Sequence, residues 1–404
     1  MNAFFRSYIS AFKGLSVESW MLSLVMLLNR IGSMVIPFLT VYLISVLHFK
    51  TDEAGLVMSC FGLGSLTGSI LGGWLTDKFG NFWVQFLSLL LTVPIFILLS
   101  HLTTVWEVCI AIYIFSSINE CFRPANSAAI THYAKKDNIT RSFSLNRMAI
   151  NLGFSFGPAL GGFLAAISYM WLFYGNSIAS FITAIVFFAY FFNHKERRKE
   201  APSENLLNVP VKILSPYRDK WFLIFSFFCF LFACVFFQLL SILPIFYEEK
   251  LNFSQGTIGL LLASNGMFVF VTEMMIVQYL DNRFNIHNNV VIGCLFLLSS
   301  FCLLMINDSL FSCFVAMILL SFSEILFFPF TSTITARCSI EKNRGAYMGL
   351  NGLSIAAAFV VMPYLATKII VLFSYQTLWI INIFILSIAA LGFYWVKKNM
   401  VFVE

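Results

Sequence analysis

The chain has 404 residues, of which 59% are hydrophobic, 17% aromatic and only 11% charged, and its mean hydropathy is +0.86. Soluble globular proteins carry about 25% charged residues, so the composition excludes a water-soluble enzyme, a disordered chain, collagen and a coiled coil. The formal charge of +6 is too sparse for a nucleic-acid-binding surface. The nine cysteines form no C-x-x-C pair, and we therefore predict free thiols and no metal site.

The apolar residues fall into twelve runs that can each cross a bilayer, because a spanning helix needs about 20 residues at a rise of 1.5 Å per residue. These predicted spans are Glu18–Leu47, Ala54–Thr76, Phe82–Leu102, Thr104–Ala128, Phe143–Ile167, Trp171–Phe192, Trp221–Tyr247, Gly256–Tyr279, Val290–Ile306, Ser309–Thr335, Ala346–Leu372 and Gln376–Val396. The fold class is thus an all-α membrane protein. We predict a six-helix bundle over residues 1–193, a linker over 194–220 and a second six-helix bundle over 221–404.

The basic residues lie mainly on one side of these spans. Twenty of the lysines and arginines fall on the side of the charged linker His194–Lys220, and only Lys50, Lys250 and Lys368 fall on the other. The positive-inside rule therefore predicts that the linker and both termini are cytoplasmic. We expect a multi-pass, monomeric protein of the bacterial inner membrane.

The two halves of the sequence resemble copies of one another. Similar residues recur at nearly constant offsets of 203 to 205 positions. The pairs are Asp77 with Asp281, Glu120 with Glu324, Pro124 with Pro329, Arg141 with Arg344, and Pro158 with Pro363. Parallel six-helix repeats that face each other across a midplane cavity are typical of transporters.

The connection after the second span reads Gly73-Trp74-Leu75-Thr76-Asp77-Lys78-Phe79-Gly80. It resembles the signature G-x-x-x-D-[RK]-x-G of the major facilitator superfamily. The resemblance implies that Gly73, Asp77, Lys78 and Gly80 belong to a cytoplasmic latch between the halves. The second copy of the motif, at Asp281, is degenerate.

The fifth span contains Gly153-x-x-x-Gly157-Pro158-x-x-Gly161-Gly162. This pattern is similar to the fifth-helix motif of the drug:proton antiporter, or multidrug-efflux, branch of that superfamily. Glycines four residues apart share one helix face and allow close approach of another helix, and proline kinks the span. Ordinary helix packing is the alternative interpretation of these residues.

Charged residues within spans are costly and therefore informative. Arg30 follows Glu18 by twelve residues, about 18 Å, and so lies near the middle of the bilayer. We predict that Arg30, Asn29 beside it and Gln238 in the seventh span line a substrate cavity. The alternative for Arg30 is that it neutralises an internal carboxylate and holds helices together.

Three acids also lie within spans. The resemblance implies that Glu120 and Glu324 are latch residues, paired with Arg141 or Arg147 and with Arg344, although proton carriage remains an alternative. Arg123 follows Glu120 by three residues and can pair with it. Glu273 has no basic neighbour within a turn of its helix, so we predict that it is an unpaired proton carrier.

These features predict a proton-coupled secondary transporter, most simply an antiporter that exports small lipophilic or amphipathic compounds by alternating access. The alternative is a proton-coupled importer of peptides or other carboxylate-bearing solutes, for which Arg30 is a suitable partner. The expected partners are a small-molecule substrate, protons and the lipid bilayer, without a cofactor or nucleic acid. A membrane enzyme is disfavoured because the sequence has no clustered catalytic residues.

Overall fold

The computed structural model describes residues 12–197, 215–253, 255–281, 283–307 and 309–400. All regular secondary structure in these residues is helical. The helices are α1 Val17–Ile31, α2 Val35–Ser45, α3 Thr51–Phe79, α4 Asn81–Leu99, α5 Val105–Tyr133, α6 Ile139–Ile167, α7 Tyr169–Arg197, α8 Lys220–Phe236, α9 Gln238–Ser241, α10 Leu243–Ile245, α11 Gln255–Asp281, α12 Ile286–Ile306, α13 Leu310–Cys338, α14 Arg344–Leu372 and α15 Tyr375–Val396.

Ten helical segments of the described residues are long and apolar enough to cross a membrane. They coincide with ten of the twelve predicted spans. The predicted first and fifth spans are absent from this set. We call residues 12–197 the N-terminal half and residues 215–400 the C-terminal half. Residues 198–214, most of the predicted linker, lie outside the described residues.

The first predicted span is wrong as a single helix, because it is interrupted after Ile31. Helix α1 ends there, and α2 begins four residues later. The new helix start is stabilised from outside, since Oδ1 of Asn176 on α7 accepts hydrogen bonds from the backbone N–H groups of Met34 at 3.0 Å and Val35 at 3.3 Å. Backbone amides exposed by a break are costly in a membrane unless such a partner satisfies them.

The seventh predicted span is also broken. It consists of α8, the short helices α9 and α10, and a π-helical turn over Phe246–Lys250. Pro244 lies in the first turn of α10, a position that accepts proline because first-turn N–H groups have no partner within their own helix. The first and seventh spans are thus both discontinuous.

The apolar residues form separate cores in the two halves. The largest core contains only residues of the C-terminal half, among them Phe301 and Trp379. A smaller core around Phe115 lies wholly in the N-terminal half. Another core of the N-terminal half also includes Ala336 and Met348, so apolar packing crosses between the halves there.

Candidate functional site

The two halves are joined where α3 ends and α14 begins. Asp77 lies in the last turn of α3, and its carboxylate accepts the backbone N–H groups of Gly345 at 2.6 Å and Ala346 at 2.8 Å. A carboxylate at a helix N-terminus is favoured by the unpaired amides and by the helix dipole. We call this end of the helices, which carries Gly80, Asp219 and Asn343, the linker end.

Close backbone packing accompanies this contact. A Cβ atom at Gly73 would lie 2.7 Å from the carbonyl oxygen of Gly345, and one at Gly349 would lie 2.8 Å from that of Ser69. Glycine is therefore required on both α3 and α14, because a larger residue would separate the helices. The Ser69 hydroxyl donates a hydrogen bond to the carbonyl of Gly349 at 3.1 Å.

The remaining residues of the predicted latch contribute less directly. The ammonium group of Lys78 lies over the ring of Trp74, 4.7 Å from its centroid, and so stays along its own helix. Gly80 has a φ of 83° in the turn between α3 and α4, a backbone conformation that favours glycine. Arg344 is near enough to Asp77 to interact electrostatically with it. Asp281 is the last residue of α11, and its side chain is not described.

Arg147 on α6 contacts two buried acids of the C-terminal half, Glu273 and Glu324. Its Nε–H group donates to Oε1 of Glu273 at 2.9 Å, and its Nη2 donates to Oε1 of Glu324 at 2.7 Å. The prediction that Glu273 is unpaired is therefore wrong. The prediction considered only basic residues close to Glu273 in sequence, on the same helix. The partner, Arg147, lies on α6 in the other half. We call Arg147, Glu273 and Glu324 the interface cluster.

The acids of the interface cluster are buried, and their surroundings include both a polar and an aromatic side chain. Glu273 is 0% exposed and Glu324 is 7% exposed. Asn265 donates to Oε2 of Glu324 at 3.2 Å, and the Arg147 guanidinium lies 5.0 Å from the centroid of the Phe328 ring. Sequence analysis missed these two neighbours, because neither a lone asparagine nor one phenylalanine among many is a distinctive signal.

The interface cluster has two acids and one base. If both carboxylates are ionised, it carries one net negative charge. A buried charge without compensation is strongly unfavourable. Oε2 of Glu273 makes no hydrogen bond to the described part of the chain. The site can therefore accept one proton without losing either hydrogen bond to Arg147.

A second charged group lies within the N-terminal half. Nη1 of Arg123 lies 3.4 Å from Oε2 of Glu120, one turn away on α5. Arg30 on α1 interacts electrostatically with both of them. The implied pairing of Glu120 with Arg141 or Arg147 is therefore not present. Glu120 also lies fifteen residues after Val105, near the middle of α5 rather than close to one end.

The glycines of the fifth-span motif determine where Arg30 lies. A Cβ atom at Gly153 would overlap Cβ of Arg30, and one at Gly157 would lie 2.9 Å from the carbonyl oxygen of Arg30. Gly161 approaches the start of α2, since a Cβ atom there would lie 3.2 Å from Cβ of Met34. These glycines thus form a contact face for the broken first span. A Cβ atom at Gly162 would make only an ordinary contact with the Phe38 ring, and the side chain of Pro158 is not described.

The structure places the other predicted site residues apart from these clusters. Gln238 exchanges two amide hydrogen bonds with Asn382 on α15, of 2.9 and 2.8 Å, and is 1% exposed. Its amide therefore links two helices. Arg141 contacts the carbonyl of Lys13 and the side chain of Asn138, near the linker end. Asn29 is partly buried at the end of α1, beside Arg30.

Comparison with known sequences identifies the family. The sequence profile of the Major Facilitator Superfamily matches residues 22–306 and 247–400, most of the chain. The chain belongs to the major facilitator superfamily. It is therefore a multi-pass membrane transporter and not an enzyme.

Individual members of the superfamily are distant in sequence. The MFS-type transporter YqjV of Bacillus subtilis is 24% identical over 339 residues, which cover 83% of this chain and 82% of YqjV. The multidrug resistance efflux pump PmrA homolog of Lactococcus lactis is 26% identical over 40% of this chain and 41% of its own length. The quinolone resistance protein NorA of Staphylococcus aureus is 30% identical over 38% of this chain and 40% of NorA.

Solved structures share the fold. A bacterial homologue of the iron transporter ferroportin, in an outward-facing state, superimposes with a TM-score of 0.73 at 16% identity and covers 95% of this chain and 100% of that chain. The human organic anion transporter MFSD10 also gives a TM-score of 0.73 at 16% identity, over 93% of this chain and 98% of that one. Identities this low establish the architecture alone.

Proposed function

We propose that this transporter is a proton-coupled antiporter that exports small lipophilic or amphipathic compounds by alternating access. The observation that carries the proposal is the interface cluster, in which one arginine of the N-terminal half holds two acids of the C-terminal half. A proton on either acid weakens its attraction to Arg147, so protonation favours separation of the halves at this position. Proton binding and the change of access are coupled in this way.

The arrangement of the spans belongs to the same proposal. Twelve spans form two six-helix bundles, residues 1–193 and 221–404, with residues 194–220 and both termini in the cytoplasm. In this arrangement, the contacts of Asp77 with α14 and of Arg147 with the two acids close the cytoplasmic side. Labelling of intact cells with an impermeant maleimide tests this topology. We expect no labelling of a cysteine at Ser203 and labelling of one at Asn252, and the opposite pattern would contradict the arrangement.

A lipophilic substrate is supported by an apolar cavity beside the break in the seventh span. Its volume is about 180 Å³, and its lining residues are Phe237, Leu240, Ser241, Ala358, Phe359 and Met362. The ring centroids of Phe237 and Phe328 lie 6.0 Å apart, and the Arg147 guanidinium lies over the Phe328 ring. An occupant of the cavity can thus influence the interface cluster through a single ring. The similarity to the multidrug resistance efflux pump PmrA homolog and to the quinolone resistance protein NorA supports the direction of export.

Import is the second candidate direction, for peptides or other carboxylate-bearing solutes, and the position of Arg30 favours it. Proteoliposomes that contain the purified protein and a pH-sensitive dye separate the two directions. Under export by antiport, a lipophilic probe and protons cross the membrane in opposite directions. Movement of both in the same direction would support import, and probe movement without any proton flux would contradict coupling.

A further inference from the structure

Arg30 is a partly buried cation that makes no ion pair of its own with the described residues. Its Nε atom is inaccessible to solvent and makes no hydrogen bond to any described residue. The guanidinium also forms no ion pair within 4.0 Å in the described part of the chain, in contrast to Arg123 and Arg147. Its neighbour is an aromatic ring, that of Phe154, at 5.4 Å from the centroid. An uncompensated charge at such depth is costly and marks a functional position.

Arg30 and its charged neighbours include one acid fewer than bases. Arg30, Arg123 and Glu120 interact electrostatically, and Glu120 already contacts Arg123. Two bases therefore share one acid, and the group has one net positive charge when all three are ionised. The interface cluster has the opposite composition, with two acids and one base. The two clusters differ in the ion that each one lacks, an anion near Arg30 and a proton or cation near Glu273.

Arg30 also lies at a break in a membrane span, a position typical of transporter binding sites. It lies one residue before the end of α1, at the break in the first span. Discontinuous helices in corresponding positions of the two halves are typical of substrate sites in transporters. Gly153 and Gly157 allow the Arg30 backbone to pack closely against α6, so its position does not depend on an ion pair of its own.

We propose that Arg30 binds the negatively charged group of an amphipathic substrate, a carboxylate attached to an apolar body. The inference rests on the proposed transport function and specifies its substrate class. The planar guanidinium can donate two parallel N–H bonds to a carboxylate. The exposed ring of Phe154 provides apolar contact for the rest of the molecule. A small inorganic anion satisfies the charge alone and makes no use of Phe154.

Thermal unfolding of the purified full-length protein tests the site with three probes that share one ring system. The probes are 2-naphthylacetate, 2-naphthylmethylammonium and 2-naphthaleneethanol, which differ mainly in charge. We expect 2-naphthylacetate to raise the unfolding temperature most, because ligand binding to the folded state stabilises it. Equal stabilisation by all three probes, or preference for the ammonium, would overturn the proposal. Stabilisation to the same extent by sodium acetate at the same concentration would show a small-anion site only, which also overturns it.

Two substitutions and a matched control locate the effect. Arg30→Gln should weaken 2-naphthylacetate binding by about tenfold or more, since a charge-assisted bidentate contact is lost. Arg30→Lys should weaken it less, because the charge remains while the forked geometry is lost. Arg283→Gln removes another arginine that stacks on an aromatic ring, 4.3 Å from the centroid of Tyr279, and should have no effect. Wild-type affinity in both Arg30 variants would overturn the proposal.

The outcome for Arg30 is distinguishable from the outcome for coupling. If the anion probe binds through Arg30 but no probe moves protons, the proposed antiport fails while the anion site stands. If proton-coupled transport of 2-naphthylacetate is found and Arg30→Gln leaves it unchanged, coupling stands and the anion site is contradicted. Should Arg30→Gln fail to fold, the three-probe comparison on the wild type and the Arg30→Lys variant decide the result.

Discussion

Nε of Arg147 lies 2.9 Å from Oε1 of Glu273, although the two residues are 126 positions apart and belong to different halves of the chain. The same guanidinium also donates to Glu324. The Arg147 guanidinium therefore both neutralises buried acid charge and holds the two halves in contact. The first prediction concerns its removal.

Arg147→Met leaves two buried acids without a base. We expect a loss of about 3–5 kcal/mol in the free energy of unfolding at pH 8, as for other buried ion pairs that lose one partner. At pH 5.5 the loss should be smaller, since the folded variant holds more protons than the unfolded chain and its stability then falls as pH rises. Thermal unfolding of wild type and variant at the two pH values measures this difference. A pH-independent loss would show that Arg147 acts only through packing.

Gly153→Leu should displace α1 from α6, because even a Cβ atom at Gly153 overlaps Cβ of Arg30. We expect transport to be lost and the unfolding temperature to decrease. The matched control is Gly266→Leu, at a glycine on α11 where an added Cβ meets no described atom within 4 Å. Equal effects of the two substitutions would indicate that the fifth-span glycines have no special role.

The contact between Thr140 on α6 and Thr333 on α13 provides a cross-link that reports closure at the linker end. Their hydroxyl oxygens lie 3.2 Å apart, in opposite halves. A Thr140→Cys, Thr333→Cys double variant should form a disulfide under mild oxidation, lose transport and recover it after reduction. Each single variant serves as the control for the native thiols. Full transport by the oxidised double variant would show that the halves need not separate there.

Asp77→Asn should weaken closure at the same end, since the amide loses the charge that favours the N-terminus of α14. In the double-cysteine background, we expect slower cross-linking between positions 140 and 333. Lys78→Gln is the control, because Lys78 stacks on residues of its own helix. An unchanged cross-linking rate in Asp77→Asn would contradict the latch role of Asp77.

The sequence predicted the transporter class and most spans because apolar composition and length are local properties. A latch role for Asp77 was implied by a family motif, but its contact with the N-terminus of α14 was not predicted. The break after Ile31 was not predicted, because its stabilising partner is Asn176, distant in sequence. The pairing of Glu273 was missed for the same reason, since Arg147 lies on another helix. Gln238 was expected in a cavity, but its amide is satisfied by Asn382, which no local pattern reveals.

The central claim is that the acids of the interface cluster carry the coupled proton. It is tested most directly in proteoliposomes that compare pH-gradient-driven accumulation of a lipophilic probe with its exchange at equilibrium. We predict that Glu273→Gln abolishes accumulation and retains exchange, since the amide keeps the shape of the side chain and remains neutral. Glu324→Gln should impair accumulation as well, whereas Glu120→Gln should retain it. Full accumulation in Glu273→Gln and Glu324→Gln, with loss in Glu120→Gln, would contradict the account.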